Sequence, residues 1–142
     1  MSTVDAIGND EMLVRVRGIC SALPEVTERQ SHGAASFFVL NKTAFVNAWI
    51  DGHHDRQFPH LWCAAAPGVQ QALIDAQPAT YFRPPYVGHR GWVGVRLDTP
   101  MDWDEVAEVC EDAYRAVAPL RLVALLGNDV RSDAPRRPST NG

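Results

Sequence analysis

The segment Tyr81-Phe82-Arg83-Pro84-Pro85-Tyr86-Val87-Gly88-His89-Arg90-Gly91-Trp92 interleaves aromatic rings with Arg and His and contains no carboxylate. That mixture suits nucleic-acid chemistry, because guanidinium groups pair with phosphates while ring faces stack on unpaired bases. Residues 78–97 hold Arg83, Arg90 and Arg96 without an acid, a local charge of +3. Arg83, Tyr86, His89, Arg90, Trp92 and Arg96 are therefore the candidate nucleic-acid or ligand-binding residues. Packing competes with this reading. Strand aromatics usually pack, which would place Trp92 and Tyr86 under the proline-rich loop and leave the arginines solvated. Gly88-His89-Arg90-Gly91 matches the G-x-x-G of a KH clamp, but that clamp joins two helices and these glycines enter a strand.

Other chemistry-bearing groups are weaker. Asp51-Gly52-His53-His54-Asp55, with His60 and Cys63, supplies metal-ligand types, yet His60 and Cys63 lie three apart on an expected strand and point to opposite faces. A solvated loop is expected, not a metal site. Asp104, Glu105, Glu108, Glu111 and Asp112 repeat at helical spacing and read as the wet face of an amphipathic helix. G-x-S-x-G, H-E-x-x-H, a Walker loop and a Rossmann fingerprint are all missing, so no catalytic residue is assigned and no cofactor is expected.

These groups need a scaffold, and 142 residues with 46% apolar and 21% charged side chains suffice for one domain with one core. The expected domain covers 9–126, between a flexible 1–8 and a polar tail, 127–142, expected to be disordered. The net charge of −4 disfavours a surface covered in nucleic-acid-binding charge but permits a local basic patch. Three well-separated cysteines, Cys20, Cys63 and Cys110, without C-x-x-C spacing read as reduced thiols. With no leader-like N-terminus and no long apolar run, a cytoplasmic protein without a membrane partner is expected.

Met12, Val16, Ile19, Cys20 and Leu23 form a helical stripe, with Asn9 as expected N-cap and Pro24 as stop. Strands are expected at 26–32, 36–40, 43–50, 59–65, 81–83 and 92–98, with a turn at Asn41-Lys42. Helices are expected at 68–77 after Pro67, from Asp102 with Glu105 completing a capping box, and over 120–126 after Pro119. Strand runs between helices, without β-α-β alternation, argue for an α+β two-layer sandwich: an antiparallel sheet with helices on one face. Period two then assigns Val46, Ala48 and Ile50 to the helices and Phe45, Trp49, Trp92 and Arg96 to the open face.

The order Ala22-Leu23-Pro24-Glu25-Val26-Thr27-Glu28, Lys42-x-x-Phe45, Pro67 opening a helix, Tyr81, Arg90-x-Trp92-x-x-Val95-x-Leu97 and Tyr114 resembles the MmcQ/YjbR family over about residues 20–122. The chain departs from the family pattern at His89-Arg90, where Asn-Lys is common, and at Ala66-Pro67 in place of Asp-Pro. The resemblance implies a frataxin-like or double-wing fold and a family often labelled DNA-binding, a label that rests on fold analogy. The expected function is thus a non-enzymatic binding module with DNA as partner. The alternatives are a protein-interaction module that meets a partner or a second copy through Phe45, Trp49 and Trp92, and a small-ligand sensor.

Overall fold

The computed structural model describes residues 8–53, 56–100 and 102–127. The expected flexible N-terminus and C-terminal tail lie outside the described residues apart from Gly8 and Gly127, as do His54 and Asp55.

Six strands, β1 (Val26–Ser31), β2 (Ala34–Val39), β3 (Thr43–Trp49), β4 (His60–Cys63), β5 (Tyr81–Phe82) and β6 (Val93–Arg96), make one antiparallel sheet in the order β1-β2-β3-β4-β6-β5. The helices are α1 (Asn9–Ser21), α2 (Val69–Ala76), α3 (Trp103–Val117) and α4 (Leu120–Gly127). This is the expected α+β two-layer sandwich. Among the described residues, no helix is long and apolar enough to cross a membrane.

Local chemistry explains the element ends. The β1–β2 reversal places His32 and Gly33 at φ 54° and 91° between paired Ser31 and Ala34, the twist a two-residue hairpin requires. The β2–β3 turn is centred on Leu40 and Asn41, one residue earlier than expected, and closes with Lys42 N–H donating to Val39 O at 3.0 Å. Helix α1 starts at Asn9 with Gly8 as cap; Asn9 donates instead to Ile50 O (3.3 Å) and Asp51 Oδ1 (3.1 Å), tying the helix to the end of β3. Asp102 does cap α3, accepting from Asp104 N–H at 3.0 Å. Glu105 does not close the capping box, because its carboxylate accepts from Tyr81 Oη (2.6 Å) and Gln77 Nε2 (3.1 Å).

The core lies between the sheet and α1 and α3. Val16 and Cys20 from α1, Val106, Cys110 and Tyr114 from α3, and Phe37, Val46, Leu61, Cys63, Val93 and Val95 from the strands are wholly buried or nearly so. The three thiols meet here: Cys110 lies within hydrogen-bonding reach of both Cys20 and Cys63, and these contacts together with burial push the Cys20 and Cys63 thiols up. All three are free and buried.

Phe45 belongs to this core, not to the open face. Phe38 pairs with Ala44 while Phe37 pairs with Val46, so Phe45 is the additional residue of a β-bulge. The bulge turns Phe45 toward the helices, where its ring meets Tyr114 edge-on at 5.6 Å and 84°. Beyond it the alternation resumes, with Val46 and Ala48 toward the helices and Asn47 and Trp49 away.

Candidate functional site

The second face of the sheet is aromatic. Residues paired directly across an antiparallel sheet share a face, so the rows Ser36–Asn47–Trp62–Gly94–Phe82 and Trp49–His60–Arg96 all lie on it. Segments from both sides fold over these rows. Residues 50–53 and 56–58 follow β3, and a backbone pair joins His53 to Arg56 (2.7 and 2.8 Å). Gly52, at φ 91°, passes so close to this chain that a Cβ would sit 2.9 Å from Arg56 O; no other residue fits. From the other side comes the segment between β5 and β6, which carries most of the sequence-predicted site.

Between the two segments opens a pocket of about 600 Å³. Its wall is a connected set of rings: Trp49 to Trp62 at 4.8 Å, Trp49 to His53 at 4.5 Å, and Tyr86 to His53 and Trp62 at 6.0 and 6.4 Å. Trp92, Asn47, Ser31, His32 and Arg90 complete it. Among the described residues lining this pocket there is no carboxylate, whereas Arg90 lies at its mouth over the Trp92 ring, 5.2 Å from the centroid. The buried indole N–H groups of Trp49 and Trp62 have no hydrogen-bond partner. Polar donors left this way cost stability, and Arg90 adds the one guanidinium among the described residues that line the pocket.

Tyr86 is the unusual member. Its φ is +65°, a region side chains other than glycine seldom occupy, and Val87 N–H donates across it to Pro85 O at 2.6 Å. That bond closes a three-residue turn of the strained, positive-φ kind. Prolines at 84 and 85 stiffen the approach to it. The result holds the Tyr86 ring 71% exposed against the edge of the pocket, where the backbone tolerates strain.

The remaining candidates separate. Trp92 is only 4% exposed, so it is a wall and not an open platform, and its carbonyl is held by Gln70 Nε2. Trp49, expected on an open surface, is 8% exposed beneath the covering segments. Arg83 is exposed and donates to Gln70 Oε1 at 3.3 Å; His89 is exposed in the single 3-10 turn Gly88–Arg90. Arg96 is committed elsewhere: it forms a two-pronged pair with Asp98 at 2.9 and 2.8 Å and stacks on Phe58 at 3.9 Å. The Arg96 hydrogen bonds hold the Asp98 carboxyl below its ordinary range.

Ser31, His32, Ala44, Asn47, Trp62 and Val87 also line the pocket and were not foreseen as site residues. Trp62 was within reach, since period two places it beside His60 and opposite Cys63. His32 comes to the pocket only through the β1–β2 hairpin. His60 and Cys63 do point to opposite faces, as expected, and among the described residues no group of three or more His, Cys, Asp or Glu side chains is placed to hold a metal.

Comparison with known proteins follows the same lines. A family model described as YjbR matches residues 21–116, which includes the whole sheet and most of α3. The fold is similar to the crystal structure of Deinococcus radiodurans protein DR2400, a protein with a DUF419 domain, at a TM-score of 0.66 and 20% identity over 86% of this chain and 92% of that one. No functionally curated protein matches.

Proposed function

The chain belongs to the YjbR family, and from that premise we propose that it is a binding module that takes an unpaired base of single-stranded nucleic acid into the aromatic pocket of the sheet's second face. The observation that carries this reading is the pocket itself: four aromatic residues, Trp49, Trp62, Tyr86 and Trp92, enclosing a volume without carboxylates, with Arg90 at the mouth. Every base has a π-face, so stacking rings with a guanidinium beside them suit it without demanding a particular sequence. Exposed Arg83, His89 and Arg90 lie where the flanking phosphates would run. Duplex DNA fits less well, since its bases are stacked and paired and extracting one costs a few kcal/mol.

A small anionic aromatic ligand is the second reading, favoured by a pocket volume inside the range of small-molecule sites. Protein docking on Trp49 and Trp92 is disfavoured by their burial.

Titration of a fluorescently labelled single-stranded oligonucleotide, at low and at moderate salt, tests the proposal. Binding should weaken with salt, exceed that of the duplex, and fall about tenfold in Tyr86→Ala through loss of one stacking partner. Arg90→Ala should weaken binding and flatten the salt dependence, whereas Arg96→Ala should change little. Equal binding by wild type, Tyr86→Ala and Arg90→Ala would refute the assignment, as would no binding at all. Displacement by a mononucleotide at matching concentration would favour the small-ligand reading.

A further inference from the structure

The helical layer, on the side of the sheet away from the aromatic pocket, has an unfilled seam. Helix α2 has no fully buried residue; its Val69 and Leu73 face a groove of about 580 Å³ between α2 and α3. Ala64, Val93 and Val109 give it an apolar floor. Asp102, Asp104, Glu105, Glu108 and Asp112 form an acidic wall, and Arg115, the one cation lining the groove among the described residues, is ion-paired with Glu111 at 2.8 Å.

The chain also carries a surface of the opposite character. In α4, Leu122 is anchored in the core at 3% exposure, but Leu120 and Leu125 are 84% and 60% exposed. Exposed Ala124 stands at i+4 from Leu120, and Leu125 at i+4 from exposed Arg121, so two adjacent rows, Leu120–Ala124 and Arg121–Leu125, make up the solvent side of the helix. Two leucines this exposed on a surface containing a cation are poorly matched to water and well matched to an apolar trough with carboxylate walls.

We infer that α4 of one copy of this chain docks into the α2–α3 groove of a second copy, with the Leu120–Ala124 row on the apolar floor and the Arg121–Leu125 row along the Glu108 side. If the exchange is reciprocal the assembly closes as a two-fold dimer; a one-way contact would propagate. The surface is small beside the ~800 Å² that each partner contributes to a standard interface, which places the contact among weak, transient associations. This inference does not rest on the nucleic-acid reading.

Sedimentation velocity on the full chain, from roughly 1 to 200 µM, tests it. The expected result is a concentration-dependent monomer–dimer equilibrium. Leu120→Glu combined with Leu125→Glu should leave the far-ultraviolet spectrum and melting temperature unchanged, because both side chains are exposed, and should abolish the dimer. Glu108→Arg should weaken association about tenfold, and adding Arg121→Glu should restore it by exchanging the charges. A monomer at every concentration overturns the inference. So does a dimer indifferent to the α4 substitutions, which would place the interface elsewhere, or one that Tyr86→Ala dissociates, which would place it on the aromatic face.

Discussion

Phe82 lies across Gly94, its direct partner between β5 and β6, so that a Cβ at position 94 would meet the ring. The glycine is required by this close approach, and the ring in turn covers backbone that a glycine leaves bare. The same ring packs on Phe58 (5.8 Å) and His60 (5.5 Å) and lies beneath the Arg56 guanidinium at 4.9 Å, so it has little freedom to retreat. Gly94→Ala should therefore destabilise by about 1–3 kcal/mol, the usual result of forcing an added methyl into a packed site. Chemical denaturation checks this. Adding Phe82→Leu should recover part of the loss, and a neutral Gly94→Ala would show that the ring moves aside freely.

Trp92 and Tyr86 border one pocket but should respond oppositely to truncation. Trp92→Ala removes a ring that is 4% exposed and should cost about 3–5 kcal/mol. Tyr86→Ala should change stability by no more than about 0.5 kcal/mol, since its ring is mostly in solvent. Tyr86→Gly should be about 1 kcal/mol more stable than Tyr86→Ala, because only glycine occupies φ near +65° without a steric penalty. Urea midpoints of the three variants suffice; an alanine variant at least as stable as the glycine one would remove strain from the account of this turn.

His60 gives the protein a pH dependence of known sign. Its side chain is fully buried and its Nδ1–H donates to Phe58 O at 2.7 Å. Nε2 is then an acceptor without a partner, and burial holds the imidazole below its ordinary value. A proton is thus bound more readily by the unfolded chain. The contribution of His60 to stability should be constant above about pH 6.5, decline as the pH falls below it, and level off only under the folded pKa. Unfolding midpoints between about pH 5 and 8, compared with His60→Gln, should show the decline flattened in the variant. Parallel curves would assign the acid sensitivity to another group.

The frame of this molecule was legible in its sequence because most of it obeys one period at a time. Period two separates Val46, Ala48 and Leu61 from Trp49 and His60, and the helical stripe of Met12, Val16 and Cys20 is buried as its spacing requires. Phe45 escaped because a bulge is one residue of irregular pairing with no marker in the side chains beside it. The pocket was half legible: Tyr86, Arg90 and Trp92 share a segment of unusual composition, whereas Ser31, His32 and Asn47 join them only through pairing between distant strands. Arg96 shows the converse limit. Its charge counted toward a basic patch, yet Asp98, two residues on, takes it out of play.

The placement of the tryptophans gives the molecule an optical property. Of the chain's four, Trp49, Trp62 and Trp92 border the pocket. Trp103 alone lies away from it, on α3, with the Arg15 guanidinium 5.4 Å from its ring. Intrinsic emission is therefore weighted toward a single region, where the Trp49 and Trp62 rings are 4.8 Å apart. Whatever enters the pocket should be visible as quenching or a spectral shift without any label, and Trp103→Phe would leave every remaining indole at the same address.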